Sequence, residues 1–91
     1  MKTCSIRYEG KVQGVGFRAT VLGLARGFDI AGSVRNLMDG CVELIAQGDS
    51  KEIEEFLSAI RESHLNGHIQ HEHEGRIDTD SLPHFRGFKI L

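Results

Sequence analysis

The chain has no tryptophan, one proline (Pro83) and two cysteines, Cys4 and Cys41. Two thiols are too few for the disulfide framework that staples small secreted domains. A single proline leaves no proline-rich linker to divide the chain. No apolar run reaches the roughly 18 residues of a membrane span. The opening Met1-Lys2-Thr3-Cys4-Ser5-Ile6-Arg7 has no apolar segment of the kind a secretory leader requires. A basic surplus is missing too, since the net charge is −2, and nucleic-acid binders usually carry one. The expectation is one soluble cytoplasmic domain over residues 1–91, a monomer with no nucleic-acid and no membrane partner.

What remains is an ordinary globular composition, 40% hydrophobic and 26% charged over 91 residues. A chain of this size buries roughly 60–65% of its unfolded surface, enough for a modest core. Lys2 to Tyr8 alternates as a strand does. From Ala19 to Arg26 apolar residues recur at Val21, Leu22 and Ala25, a helical stripe. Gly27 is placed to stop that helix in the left-handed conformation, with Phe28 packing back. Gly23 inside the helix costs about 1 kcal/mol relative to alanine, which a close packing contact would explain.

Ile30 to Met38 and Cys41 to Gln47 read as two strands joined through Asp39-Gly40, a strong hairpin signal. Asp49 with Glu52 has the spacing of a capping box. Ile53, Phe56, Leu57 and Ile60 then follow at i, i+3, i+4 and i+7, the cleanest amphipathic pattern in the chain. Asn66-Gly67 is expected to end that helix. A polar fourth strand runs from His68 to about Thr79, and Phe85 to Leu91 forms a closing strand. The order βαββαβ with an extra terminal strand predicts an α+β sandwich: one antiparallel sheet with both helices on one face. In that topology Cys4 and Cys41 lie at opposite ends of the sheet, beyond the ~7 Å Cα separation a disulfide tolerates. Two free thiols are expected.

The richest stretch is Gly10-Lys11-Val12-Gln13-Gly14-Val15-Gly16-Phe17-Arg18, with three glycines in seven positions before a helix. Such a turn bares backbone N–H groups and aims them, with the positive end of the helix dipole, at one spot. Arg18 adds five donors in the fork geometry that suits a phosphate. The second stretch is Gly32-Ser33-Val34-Arg35-Asn36. Alternation turns Val34 to the core, sends Asn36 to the helix side near the glycine loop, and puts Ser33 on the exposed face.

Both stretches resemble the signatures of the acylphosphatase family, and the likeness extends over nearly the whole chain. Gly10 to Arg18 matches the form G-x-V-Q-G-V-x-F-R at every fixed position. Gly32, Val34, Asn36, Gly40, Val42 and Gly48 match the second signature, whose usual aromatic residue is replaced here by Ser33. Phe85-Arg86-Gly87-Phe88-Lys89-Ile90 is similar to the family's last strand. The resemblance implies a ferredoxin-like fold and hydrolysis of the carboxyl–phosphate bond of small acyl phosphates, without metal or cofactor. It implies that Arg18 and the amides of Val15, Gly16, Phe17 and Arg18 hold the phosphoryl group and that Asn36 orients the attacking water. Neither Arg18 nor Asn36 titrates near neutrality, so the rate is expected to be flat between about pH 5 and 8.

Two other readings weigh less. His71 and His73 would share a strand face and His64 and His68 have i, i+4 spacing, but no cysteine joins them at zinc spacing. RNA-recognition domains share this topology, yet their base-stacking aromatics belong on central strands. Here Cys41 to Gln47 has none, and the first strand offers only Tyr8.

Overall fold

Alternation along the first strand decides which way the sheet faces. Cys4, Ile6 and Tyr8 are buried, while Arg7 and Glu9 between and beyond them are exposed. The computed structural model describes residues 2–76 and 85–91. Its elements are β1 (Lys2–Gly10), α1 (Phe17–Ala25), β2 (Ile30–Asn36), β3 (Val42–Gly48), α2 (Ser50–Glu62), a 3-10 turn (His64–His68), β4 (Ile69–Arg76) and β5 (Phe88–Ile90). The sheet order is β4-β1-β3-β2-β5. The first four strands pair antiparallel, as expected, but β5 lies parallel to β2, with Val34 opposite Ile90. The sheet is therefore mixed.

One face of that sheet carries the core. Ile6, Tyr8, Val34, Leu44 and Ala46 form a single cluster with Phe17 and Val21 of α1 and Ile53, Phe56 and Ile60 of α2. Both helices thus cover the same face, the ferredoxin-like arrangement. Each fully buried Val, Leu, Ile or Phe stabilises the fold by about 1.5–3 kcal/mol. Phe56 is the hub between the helices and the far edge, since its ring lies 5.7 Å from those of both Phe28 and Phe88.

Helix α2 begins and ends for legible reasons. Asp49 Oδ1 accepts from Lys51 N at 3.2 Å and caps it. Only half of the expected capping box forms, because Glu52 Oε1 accepts from Asp29 N at 2.8 Å instead of reaching back. The helix stops at Glu62, earlier than Asn66-Gly67 suggested. Ser63 ends it and opens the 3-10 turn, its hydroxyl accepting from Leu65 N at 3.2 Å.

Three local expectations need correction. Gly27 is not left-handed. Helix α1 ends through tight bonds from Gly27 N to Leu24 O and Phe28 N to Ala25 O, which satisfy its last carbonyls without such a residue. The β2–β3 connection is longer than a two-residue turn. Leu37 N donates to Cys41 O and Gly40 N to Leu37 O, and only Gly40 (φ 92°) has positive φ. Ser33 is buried, not exposed. Strand β5 gives β2 a neighbour on its outer side, so the short serine sits between Ile45 and Lys89 in register and is shielded by longer side chains.

The cysteines behave as the topology demands. Cys4 faces Ala46 across β1–β3, while Val42, next to Cys41, faces Tyr8 four residues away. That separation is roughly 13 Å along the strands. Both thiols are free and buried. The expected run of β4 to Thr79 lies partly outside the described residues.

Candidate active site

The glycine loop is held at both ends by buried apolar side chains. Val12 is 1% exposed and Phe17 2%, and the Phe17 ring lies 5.1 Å from Tyr8 in β1. Between these anchors Gly14 (φ 80°) and Gly16 (φ 76°) adopt the left-handed backbone that lets the chain double back. Gly16 is the N-cap of α1, which begins two residues earlier than expected, at Phe17. Its first backbone bond runs from Thr20 N to Gly16 O at 3.0 Å. The amides of Phe17, Arg18 and Ala19 precede that ladder and have no intrahelical acceptor. No acidic side chain occupies the first turn to take them.

These amides open onto a cleft of about 230 Å³. One water occupies roughly 30 Å³ in the liquid, so a phosphoryl group and solvent fit together. Gly14, Gly16, Phe17 and Ala19 line the cleft, and Arg18 and Asn36 supply its polar side chains. Val12 and Ile90 form the apolar part of its wall. Asn36 arrives because it ends β2 two residues after the buried Val34, on the helix side of the sheet. Of the residues singled out from the sequence, Gly16, Phe17, Arg18 and Asn36 come together. Val15 does not line the cleft; it packs against the core.

Charge around the cleft is arranged by exclusion. Arg7 pairs with Asp39 at 3.7 Å, Arg35 with Glu43 at 2.8 Å and Arg61 with Glu72 at 3.1 Å. Among the described residues no carboxylate pairs with Arg18, the arginine that faces the cleft. The cleft lining holds no carboxylate, histidine or thiol, so no group in it is an ordinary proton carrier. Nearby titratable groups are also held inert. Burial pushes the Tyr8 phenol well above its usual range. Desolvation, then the hydrogen bond and charge of Asp39, raise the Cys41 thiol. The Asp39 carboxyl is held low, chiefly by the Cys41 N–H that donates to its Oδ1 at 3.0 Å.

The described histidines do not line the cleft. The His71 and His73 rings stand 6.2 Å apart on β4, and His73 Nε2 contacts Glu9 Oε2 at 2.9 Å, which lowers the Glu9 carboxyl. Among the described residues no three His, Cys, Asp or Glu groups converge as metal ligands would. No described helix is long and apolar enough to cross a membrane.

Comparison with known proteins shows the family to which the chain belongs. The family model described as Acylphosphatase matches residues 4–90. The chain belongs to the acylphosphatase family. Its chemistry is therefore that of hydrolases acting on acid anhydrides, the cleavage of acyl phosphates. An acylphosphatase of Lactobacillus johnsonii is 38% identical over 89 residues, covering 97% of this chain and 92% of its own. The crystal structure of acylphosphatase from Bacillus subtilis superposes with a TM-score of 0.86 at 31% identity, covering 100% of this chain and 99% of that one. An acylphosphatase structure from Coxiella burnetii gives 0.82 at 27% identity, over 99% of this chain and 92% of that one.

One residue of the family signature has a place that spacing alone did not reveal. Gln13 Nε2 donates to Leu37 O at 2.8 Å and to Cys41 O at 2.9 Å. It ties the glycine loop to the turn after Asn36. Its fixed position in the first signature was the one available signal, because a bond to distant backbone carbonyls leaves no trace in residue spacing.

Proposed function

We propose that this chain hydrolyses small acyl phosphates as a single metal-independent domain, with Arg18 and the first amides of α1 holding the phosphoryl group. One observation carries the reading: Arg18, with no carboxylate partner among the described residues, and Asn36 line one cleft at the N-terminus of α1. The dianionic phosphoryl oxygens lie against the guanidinium and the amides of Gly16, Phe17 and Arg18, with Val15 serving only to shape the loop. Asn36 accepts a hydrogen bond from a water through its amide oxygen and aims it in line with the acyl oxygen. The water oxygen forms the new P–O bond while the P–O bond to the acyl group breaks. The electron pair of that bond leaves on the carboxylate, and the proton of the water passes to the phosphate. The products are a carboxylate and inorganic phosphate.

Little else is required, because a carboxylate is already a good leaving group. Holding the phosphoryl group, stabilising its equatorial oxygens and orienting the water supply the catalysis. The apolar wall at Val12 and Ile90 faces the acyl side and makes no polar demand on it.

The test is phosphate release from an aryl acyl phosphate in excess EDTA, comparing wild type with Arg18→Gln. Losing one charge-assisted anchor to the developing charge costs roughly 3–4 kcal/mol, several hundred-fold in rate. Strong EDTA-resistant release that collapses in the variant supports the reading. A folded wild type without activity would sink it, and would leave a non-catalytic anion- or RNA-binding module on the same fold.

A further inference from the structure

We infer that Gln13 is a positioning residue that sets the distance between the phosphate cradle and Asn36, and so governs turnover more than phosphate affinity. The inference rests on the reading of Arg18 and Asn36 given above.

The two halves of the cleft belong to different elements. The cradle belongs to the loop before α1, and Asn36 to the end of β2. Each half is fixed internally. The cradle is anchored by buried Val12 and Phe17 and by the Thr20–Gly16 bond. The turn after Asn36 is closed by Leu37 N on Cys41 O, by Gly40 N on Leu37 O, and by Cys41 N on Asp39 Oδ1. Asn36 itself is exposed, so packing does not immobilise it.

Gln13 spans the gap between these halves. Both hydrogens of one amide nitrogen go to carbonyls on either side of the turn, Leu37 O and Cys41 O. Leu37 directly follows Asn36, so the first bond acts on the backbone next to the water-orienting side chain. Cys41 O also accepts from Leu37 N, so Gln13 grips the closing pair of the hairpin rather than its mobile tip. An amide is suited to this task. It offers two donors on one atom without adding charge beside the anion site.

The consequence is a division of labour. Phosphate affinity comes from groups on the loop and α1, whose own anchors do not involve Gln13. In-line attack needs the water and the phosphorus at one separation, which depends on the span between the elements. Misplacement by about 1 Å costs on the order of a hundred-fold in turnover. Loss of the clamp is therefore expected to reduce kcat by roughly ten- to a hundred-fold, with inorganic phosphate binding held within two-fold.

The experiment measures kcat with an aryl acyl phosphate, and binding of inorganic phosphate by titration calorimetry, for wild type, Gln13→Met and Gln13→Lys. Methionine keeps the length and removes both donors. Lysine restores donors at similar reach and is expected to recover kcat several-fold over the methionine variant. Circular dichroism establishes the folded fraction of each, and rates are taken per folded molecule. A fall in kcat with unchanged phosphate affinity, partly rescued by lysine, supports the inference. Overturning results are a kcat within two-fold of wild type, an equal loss of kcat and phosphate affinity, or no difference between the two variants. Should Gln13→Met not fold, Gln13→Asn, one methylene too short to span the gap, decides on the same criteria. An inactive wild type would instead refute the underlying assignment of the site, an outcome separable from failure of the Gln13 variants alone.

Discussion

Helix α1 carries two glycines on which the same substitution should act with opposite signs. Gly16 and Gly23 lie seven positions apart, and a Cβ added at either meets nothing within 4 Å. Steric crowding therefore drops out, and the backbone angle decides. Gly23 is exposed and inside the helix, without positive φ. No close contact among the described residues accounts for Gly23, so Gly23→Ala removes only unfolded-chain freedom and should stabilise by about 0.8–1 kcal/mol. Gly16 caps the helix at φ 76°, where an L-residue costs about 1–2 kcal/mol. One kcal/mol corresponds to roughly 4–8 °C in a domain this size. Thermal melts should thus place Gly23→Ala about 4–8 °C above wild type, with Gly16→Ala below it. Phosphate release provides the second readout, because Gly16 borders the cleft and Gly23 does not. Gly23→Ala should keep wild-type activity, whereas Gly16→Ala should lose more activity than its folded fraction explains. A destabilised Gly23→Ala, or a Gly16→Ala that melts with wild type, would refute the reasoning.

Further expectations follow from the same geometry. The rate per folded molecule should stay flat between about pH 5 and 8, since no carboxylate, histidine or thiol lines the cleft; a bell-shaped pH–rate profile within that range would contradict this. Stability should behave differently at acid pH. The Glu9 carboxyl is held below its ordinary 4.5, first by the hydrogen bond to His73. Its contribution is present above that ordinary value and lost as pH falls through the lowered one, and Glu9→Gln should remove that part of the acid limb in urea melts. The pair is exposed, so the change should be small. Thiol titration should find both cysteines unreactive in the native state and two thiols on unfolding, with no mass change on reduction. Gly32→Ala should unfold or severely destabilise the chain, because its Cβ would collide with Ile45 O in the adjacent strand; a circular-dichroism melt near that of wild type would disprove the register.

Much of this was legible in residue spacing. Ile53, Phe56, Leu57 and Ile60 are all buried, because a stripe at helical period has one way to meet a sheet. The meeting of Arg18 and Asn36 followed from alternation in β2 and from a glycine loop between β1 and α1. Ser33, Glu52 and Gln13 share a cause: each depends on a partner distant in sequence. Ser33 was read as exposed because nothing local shows that β5 returns beside β2. Glu52 fits a capping box locally but finds Asp29 N first. Gln13 was missed for the same reason, since its partners lie 24 and 28 residues away.

The placement of Ile90 in the cleft has a consequence for how the protein comes into being. Residue 12 and residue 90 border the same small space, so the cleft joins opposite ends of the sequence. Such a site has high contact order, and closing it waits on nearly the whole chain. On a ribosome the glycine loop and α1 emerge well before β5, and the nine-residue α1 has little stability until the core it packs on is made. The pocket wall is delivered only with β5. A growing chain therefore lacks a bounded cleft until β5 has been made, and activity should appear late and abruptly rather than accumulate with length.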